Sequence, residues 1–407
     1  MATGRNERAN GLRAIPRGVW VLGLVSMLMD ISSEMIHALL PIYLVAVLGT
    51  SALTVGFIEG LAEATALITR IFSGTVSDWL GRRKLLAAIG YGLAAFTKPV
   101  FPLASSVGWL IAARFVDRVG KGIRGAPRDA LVADLTPADL RGASFGLRQT
   151  LDTVGAFLGP LMAIALMVLT GDDFTFVFWI AVIPAFAAFG LITFGVRDAP
   201  HTQNGNAGKR LHWRDAGRLS PAYWGVVGAG TLLTLARFSE AFLLLKAQNA
   251  GLAEAMIPSI LVVMNIAYAF SAYPAGAASD RLGRIGVLLV GIVLLIVADL
   301  LLAAAVSLPL VFIGAIVWGL HMGLTQGLIA TLIADTAPVD LRGTAFGVFN
   351  LAAGIAVLSA SIIAGVLWDV SGPAMTFVAG ALFAALALAA FVGLGRSLAG
   401  ERRASSA

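Results

Sequence analysis

Cysteine is absent from this 407-residue sequence, which excludes disulfides and thiolate metal sites. Charge is scarce as well. Asp, Glu, Lys and Arg make up 13% of the residues, against about 25% in ordinary soluble domains. A water-soluble chain of this length could not clothe its surface with so little charge, so its outside must face lipid. HExxH and P-loop patterns are also missing, which removes the usual grounds for a membrane-embedded metalloprotease or an ATP-driven pump. The longest polar loop, residues 197–220, is too short to be an appended signalling domain.

What is present is apolar length. Hydrophobic residues account for 58% of the chain and the mean hydropathy is +0.88. A bilayer core needs about 20 apolar residues per helix. Runs of that kind lie near 18–48, 53–77, 85–104, 108–133, 143–169 and 174–196. They resume near 222–246, 256–279, 285–306, 309–334, 343–368 and 374–395, which makes twelve spans. The basic start, MATGRNERANGLRAIPRGVW, runs into an apolar stretch longer than a signal-peptide core, with no small-residue cleavage site. It reads as a cytoplasmic tail.

Basic residues set the expected orientation. They gather in the first tail (Arg5, Arg8, Arg13, Arg17), after span two (Arg82, Arg83, Lys84), after span eight (Arg281, Arg284), in the central loop and at the C-terminal end. The opposite loops carry none, Lys246 being the exception. By the positive-inside rule both termini are cytoplasmic, in a multi-pass protein of a bacterial inner (plasma) membrane. The net charge of +6 therefore belongs to membrane topology, and no nucleic-acid partner is expected. The expected layout is a tail at 1–17, a six-helix half at 18–196, a linker at 197–220, a second half at 221–396 and a tail at 397–407.

The two halves repeat each other. Gly74-Thr-Val-Ser-Asp78-Trp-Leu-Gly81-Arg82-Arg83-Lys84 recurs as Gly276-Ala-Ala-Ser-Asp280-Arg281-Leu-Gly283-Arg284. Asp134 with Arg141-Gly-Ala-Ser-Phe-Gly146 recurs as Asp335 with Arg342-Gly-Thr-Ala-Phe-Gly347, and the two spacings are 202 and 201 residues. Paired halves of this kind suggest a transporter with its site at their interface.

The first repeat resembles the signature loop of the major facilitator superfamily, found between helices two and three and echoed between eight and nine. Trp79 stands where that pattern usually has a basic residue, whereas Arg281 keeps it. The resemblance covers nearly the whole chain. It implies an all-α membrane protein of twelve helices in two pseudo-symmetric halves. It further implies a cytoplasmic gate formed by Gly74, Asp78, Gly81, Arg82, Arg83, Asp134 and Arg141, with Gly276, Asp280, Arg281, Asp335 and Arg342 as the second copy.

Span five is similar to the antiporter motif of the superfamily's proton-coupled exporters. It reads Gly146, eight residues, Gly155, three residues, Gly159-Pro160, with Ala163-Ile164 replacing the motif's final glycine pair. Gly155 and Gly159, four apart, let a neighbouring helix approach closely. Pro160 bends the helix. Ordinary small-residue packing would use the same residues.

Ionisable residues deep in a membrane are costly and mark function by default. Asp30, Glu34 and His37 share one face of span one, and Glu59, Glu63 and Arg70 one stripe of span two. Span three has Lys98. Span four has Arg114, Asp117, Arg118 and Lys121. Five acids (Asp30, Glu34, Glu59, Glu63, Asp117) balance five bases (Arg70, Lys98, Arg114, Arg118, Lys121), as internal ion pairing would require. Arg114 falls where the family carries its intramembrane arginine on helix four, proposed to act in proton transfer. A carboxyl group in an apolar cavity can exchange a proton near neutral pH. Asp30 and Glu34 lead for that role, which acidic residues of helix one serve in several multidrug exporters that this chain resembles.

The second half is sparser. Ser33-Glu34 aligns with Ser239-Glu240 at a spacing of 206, with Arg237 alongside. Asn265, His321, Gln326 and Asn350 are polar candidates for a substrate cavity, together with His37, Lys98, Arg237, Ser239 and Glu240. Phe238, Phe242, Tyr268, Trp318 and Phe349 are candidates for its apolar walls.

The sequence thus points to a secondary active transporter working by alternating access. It is expected to be a monomer that exports a small organic compound in exchange for protons, with no cofactor and no metal site. Import of an organic anion, motivated by the span-four bases, and transport of a divalent metal through Asp30, Glu34 and His37 are the alternatives. A membrane-embedded enzyme is the remote one.

Overall fold

A computed structural model describes residues 14–80, 82–137, 140–196, 217–338 and 341–406. Much of the basic tail and most of the linker, including Arg5, Arg8, Arg13 and residues 197–216, therefore lie outside the described residues. So do Gly81 and the side chains of Asp78, Asp280 and Arg281.

The described chain is helical. α1 (Arg17–Ile42) carries Pro41 near its end and passes into a wider π turn at Tyr43–Val47. α2 (Ala52–Leu80), α3 (Arg83–Thr97) and the short α4 (Val100–Leu103) follow. Lys98-Pro99 interrupts span three because proline supplies no backbone N–H to continue the helix. α5 (Val107–Leu135), α6 (Arg141–Thr170) and α7 (Phe174–Gly195) complete the first repeat. The turn into α7 is written in its residues. Gly171 and Asp172 take left-handed backbone at φ 67°, and the Asp173 carboxylate accepts from the Phe176 N–H at 3.0 Å as a helix cap.

The second repeat starts with Ser220, which caps α8 (Pro221–Ala236) by accepting from the Tyr223 N–H at 3.1 Å. Then come α9 (Ala241–Asn249), α10 (Ser259–Leu282), α11 (Arg284–Ala304), α12 (Leu308–Thr336), α13 (Arg342–Ser371) and α14 (Pro373–Ser406). Every expected span is found within a few residues. Two expectations change. Span seven is two helices, broken at Arg237–Glu240, and α14 runs on through most of the stretch expected as a tail. Among the described residues, eleven helical segments are long and apolar enough to cross a membrane. α5 has comparable length but falls short by composition, because it carries the charged residues of span four.

The contacts define two compact units. One comprises the chain up to Leu39 and from Ile68 through α7; the other comprises Leu40–Leu67 and everything from α8 onward. The first is centred on Val19, Leu22, Val25 and Met29 of α1, Tyr91 and Ala94 of α3, Val132 of α5 and Ala188 and Ile192 of α7. Within the second, the Phe238 ring meets Trp318 at a tilt and Phe377 edge-on, at centroid distances of 5.4 and 5.5 Å. Lys246, the exception among the orientation signals, lies in α9 and is buried, not in a loop.

Candidate translocation site

In the first unit, polar side chains of span one and the charges of spans three and four meet in a buried interior. Lys98 Nζ donates to Asp117 Oδ1 at 2.9 Å and to Ser33 Oγ at 3.1 Å, and Arg118 stands 3.8 Å from the other Asp117 oxygen. Arg114 Nη2 donates to His37 Nδ1 at 2.8 Å, joining α5 to α1. Lys98, Arg114, Asp117 and Arg118 are all buried. Burial on this scale is tolerated because each acid has bases close by.

A second polar layer holds Asp30 near the charges of Asp152, Arg124, Lys121 and Arg128. Arg148 bridges Asp152 at 3.0 Å and Asp129 at 3.3 Å, and Arg128 donates to Ser26 Oγ at 2.8 Å. Ser26 also meets the Tyr91 hydroxyl at 3.1 Å, and Arg124 lies 4.9 Å over the Tyr91 ring. Arg148 and Asp152 escaped the reading of the sequence. Their signal was spacing, since 148, 152, 155 and 159 form one stripe of α6.

That stripe packs on α1. A Cβ at Gly155 would stand 2.6 Å from the Met27 carbonyl and 3.0 Å from Asp30 Cβ, and one at Gly159 would stand 2.5 Å from Glu34 Cβ. The two glycines therefore seat α6 directly on the acidic face of α1. Pro160 is buried beside them, whereas a Cβ at Gly146 would meet nothing.

Glu59 is buried in the second unit and Glu63 partly so, while Arg70 is exposed and belongs to the first unit. Lys121 is exposed. Among the described residues no three of His, Asp and Glu stand close enough to hold a metal together. His37 is turned to Arg114 instead.

In the second unit the break in span seven exposes helix ends inside the bundle, an arrangement that transporters use to meet substrates and ions. Arg237 ends α8 and Glu240 begins α9, and the Ser239 N–H donates to Ser361 Oγ at 3.3 Å. Phe238, in the break, packs against both Trp318 and Phe377, and Phe242 packs edge-on against Phe238 at 5.5 Å. His321 is buried and donates from Nδ1 to the Gly291 carbonyl at 2.8 Å. Asn265 and Asn350 are partly buried, and Gln326 is exposed. Asp299 of α11, also missed in the sequence, is wholly buried.

Two further contacts frame these sites. Asp369, at the end of α13, accepts from the N–H groups of Ala52 (3.0 Å) and Leu53 (2.9 Å) at the start of α2. Below it the backbones touch: a Cβ at Gly56 would stand 2.2 Å from the Ser361 carbonyl, and one at Gly365 2.5 Å from Leu53 Cα. At the signature loops, Arg83 pairs with Asp134 and Arg284 with Asp335, an arginine–aspartate contact in each repeat that is made by the second arginine of the first loop and by the counterpart of Arg82 in the second. Arg342 donates to the Ala334 carbonyl at 3.1 Å, and Arg82 and Arg141 are exposed. Gly74 lies in α2 and Gly276 in α10.

A duplicated all-helical bundle with paired charges inside it defines a multi-pass transporter, not an enzyme. The sequence profile of the Major Facilitator Superfamily matches residues 22–244 and 226–406, and the chain belongs to that family. It is a secondary transporter. It is 31% identical over 380 residues to the MFS-type transporter MJ1317 of Methanocaldococcus jannaschii, covering 91% of this chain and 93% of that one. To the inner membrane transport protein YajR of Escherichia coli it is 26% identical, over 91% of this chain and 81% of the other. To the multidrug resistance protein MdtH of Photorhabdus laumondii it is 31% identical, but over only 40% and 39%. Among solved structures, the nucleoside transporter NupG matches with a TM-score of 0.75 at 15% identity, over 93% of this chain and 99% of that one, a likeness of fold.

Proposed function

We propose that this transporter exports a small organic compound across the inner membrane in exchange for protons, as a monomer with both termini in the cytoplasm. The observation that carries the reading is the seating of Gly155 and Gly159 on α1 at Asp30 and Glu34. It joins the antiporter-like stripe to the acids best suited to carry a proton. Similarity to a protein named for multidrug resistance points the same way over part of the chain.

Protonation of Asp30 would change its balance against Arg128, Arg124 and Asp152, and a compound that favours one state of that network is thereby coupled to the proton. The signature-loop pairs and the Asp369 cap are the contacts to be remade as access alternates. Import of an organic anion is less well supported, because the span-four bases Arg118 and Arg128 each already face an aspartate.

Proteoliposomes with a pH-sensitive dye inside test the proposal. Under an imposed proton gradient, pools of candidate compounds are added to wild type, Asp30→Asn and Glu34→Gln. Compound-dependent proton flux that disappears in one folded carboxylate variant supports exchange. Absence of such flux in wild type sinks it.

A further inference from the structure

Asp299 is a buried acid with no visible counterpart. It lies in the last third of α11 with 0% exposure, and neither carboxyl oxygen has a hydrogen-bond partner among the described residues. No ion pair among those residues reaches it. Its surroundings are α14 at Gly380, where an added Cβ would stand 2.7 Å from Asp299 Oδ2, and the Phe238 ring, 2.8 Å from the same point. Phe238 is itself packed against Trp318 and Phe377.

The titratable groups on the surrounding elements are engaged elsewhere or remote in sequence. On α12, His321 donates to the Gly291 carbonyl, two turns from Asp299, and Asp335 pairs with Arg284 at the start of α11. On α14 the charges begin at Arg396, and on α10 they are Asp280 and Arg281 near its end. Arg237 and Glu240 flank the break that carries Phe238, and Lys246 lies further along α9.

A carboxylate cannot remain ionised in such a place without a large desolvation cost, whereas a carboxylic acid can. We propose that Asp299 is a proton-binding site of the second repeat, loaded in the arrangement described here and emptied when the aromatic box at Phe238 opens to water. Release transfers H⁺ from the carboxyl O–H to water and leaves a carboxylate, with no redox partner needed. Phe238 is placed to act as the door because it sits between α8 and α9, where helical hydrogen bonding is interrupted. The site deepens the proton-exchange reading, on which its role in transport rests, by adding a second protonation point far in sequence from Asp30.

Infrared spectroscopy of the full chain in lipid, with ¹³C-labelled aspartate carboxyls, tests the site without any substrate. A protonated aspartate band is expected at neutral pH. It should move with the isotope, vanish in Asp299→Asn and shift in Gly380→Ala, whose added methyl crowds Oδ2. A wild type without such a band, or a band that neither variant alters, overturns the site. Should Asp299→Asn fail to fold, the Gly380→Ala shift alone decides. For the role in coupling, Asp299→Asn in proteoliposomes should lose roughly tenfold of the proton-driven accumulation of whichever compound pool wild type moves, while exchange without a gradient persists. Unchanged accumulation overturns that role. If wild type accumulates nothing, the exporter reading fails and the coupling role with it, while the infrared result still decides the proton site.

Discussion

Lys98 and Asp117 form an ion pair 2.9 Å long between two side chains that are 0% and 3% exposed. The pair joins the break after α3 to the middle of α5. Removing one partner strands the other's charge in a medium that cannot solvate it, whereas removing both leaves only Arg118, 3.8 Å from Asp117, with one acid fewer beside it. Asp117→Asn or Lys98→Met alone should therefore cost about 3–5 kcal/mol, and Lys98→Met with Asp117→Leu should recover most of that. Thermal unfolding in detergent measures all three. Additive losses in the double variant would mean that the pair is not an isolated unit.

The α1–α6 contact gives a contrast within one motif. Gly159→Ala places a methyl 2.5 Å from Glu34 Cβ, so the helices must part, at about 1–3 kcal/mol. Gly146→Ala meets nothing within 4 Å and should leave flux unchanged, with stability unchanged or raised by up to about 1 kcal/mol. Equal effects at the two positions would show that the motif does not act through helix approach.

Asp369 satisfies two N–H groups that α2 cannot pair within itself. Asp369→Ala should weaken the α2–α13 contact by about 0.5–2 kcal/mol, the usual worth of a helix cap. Since the chain has no cysteine, a single one at Ser361, itself 0% exposed, reports directly on opening. Its maleimide labelling should be several-fold faster when Asp369 is Ala, and an unchanged rate would rule out the cap as a latch.

Arg83–Asp134 and Arg284–Asp335 are part-exposed pairs, with side-chain exposures of 23% and 30% in the first and 37% and 47% in the second. Pairs in that setting contribute under about 1 kcal/mol to stability. Charge reversal at Asp134 should leave the melting temperature nearly unmoved yet slow transport, and Arg83→Asp with Asp134→Arg should restore part of the rate. A double-mutant cycle in transport, with no coupling between the two changes, would remove the pair from the gate.

The spans were legible because bilayer thickness imposes its length on the sequence, and helices α5 to α7 and α10 to α13 start and stop where the apolar runs do. The repeat was legible because Asp134 and Asp335 recur with Arg141 and Arg342 at one spacing. The break at Arg237–Glu240 was not, because polar residues inside an apolar run are equally compatible with an unbroken helix that carries site residues, and only the backbone reveals the gap. Asp299 was hidden by its own neighbourhood: one acid within a strongly apolar run barely lowers the average. Arg148 and Asp152 share a face with Gly155 and Gly159, but the glycines drew the eye to packing when the same stripe also carried charge.

The α2–α13 contact is made largely of backbone. Gly56, Gly60 and Gly365 contribute no side chain, and Ser361 a very small one. Closing such a surface freezes almost no rotamers, and parting it releases almost none. The two helices can therefore join and separate many times with little entropic toll in either direction. The same economy leaves natural variation little to adjust there. In the proposed cycle, a shift in how fast this contact opens has to come from Asp369 and its surroundings, because a residue larger than glycine at Gly56, Gly60 or Gly365 acts first as a wedge.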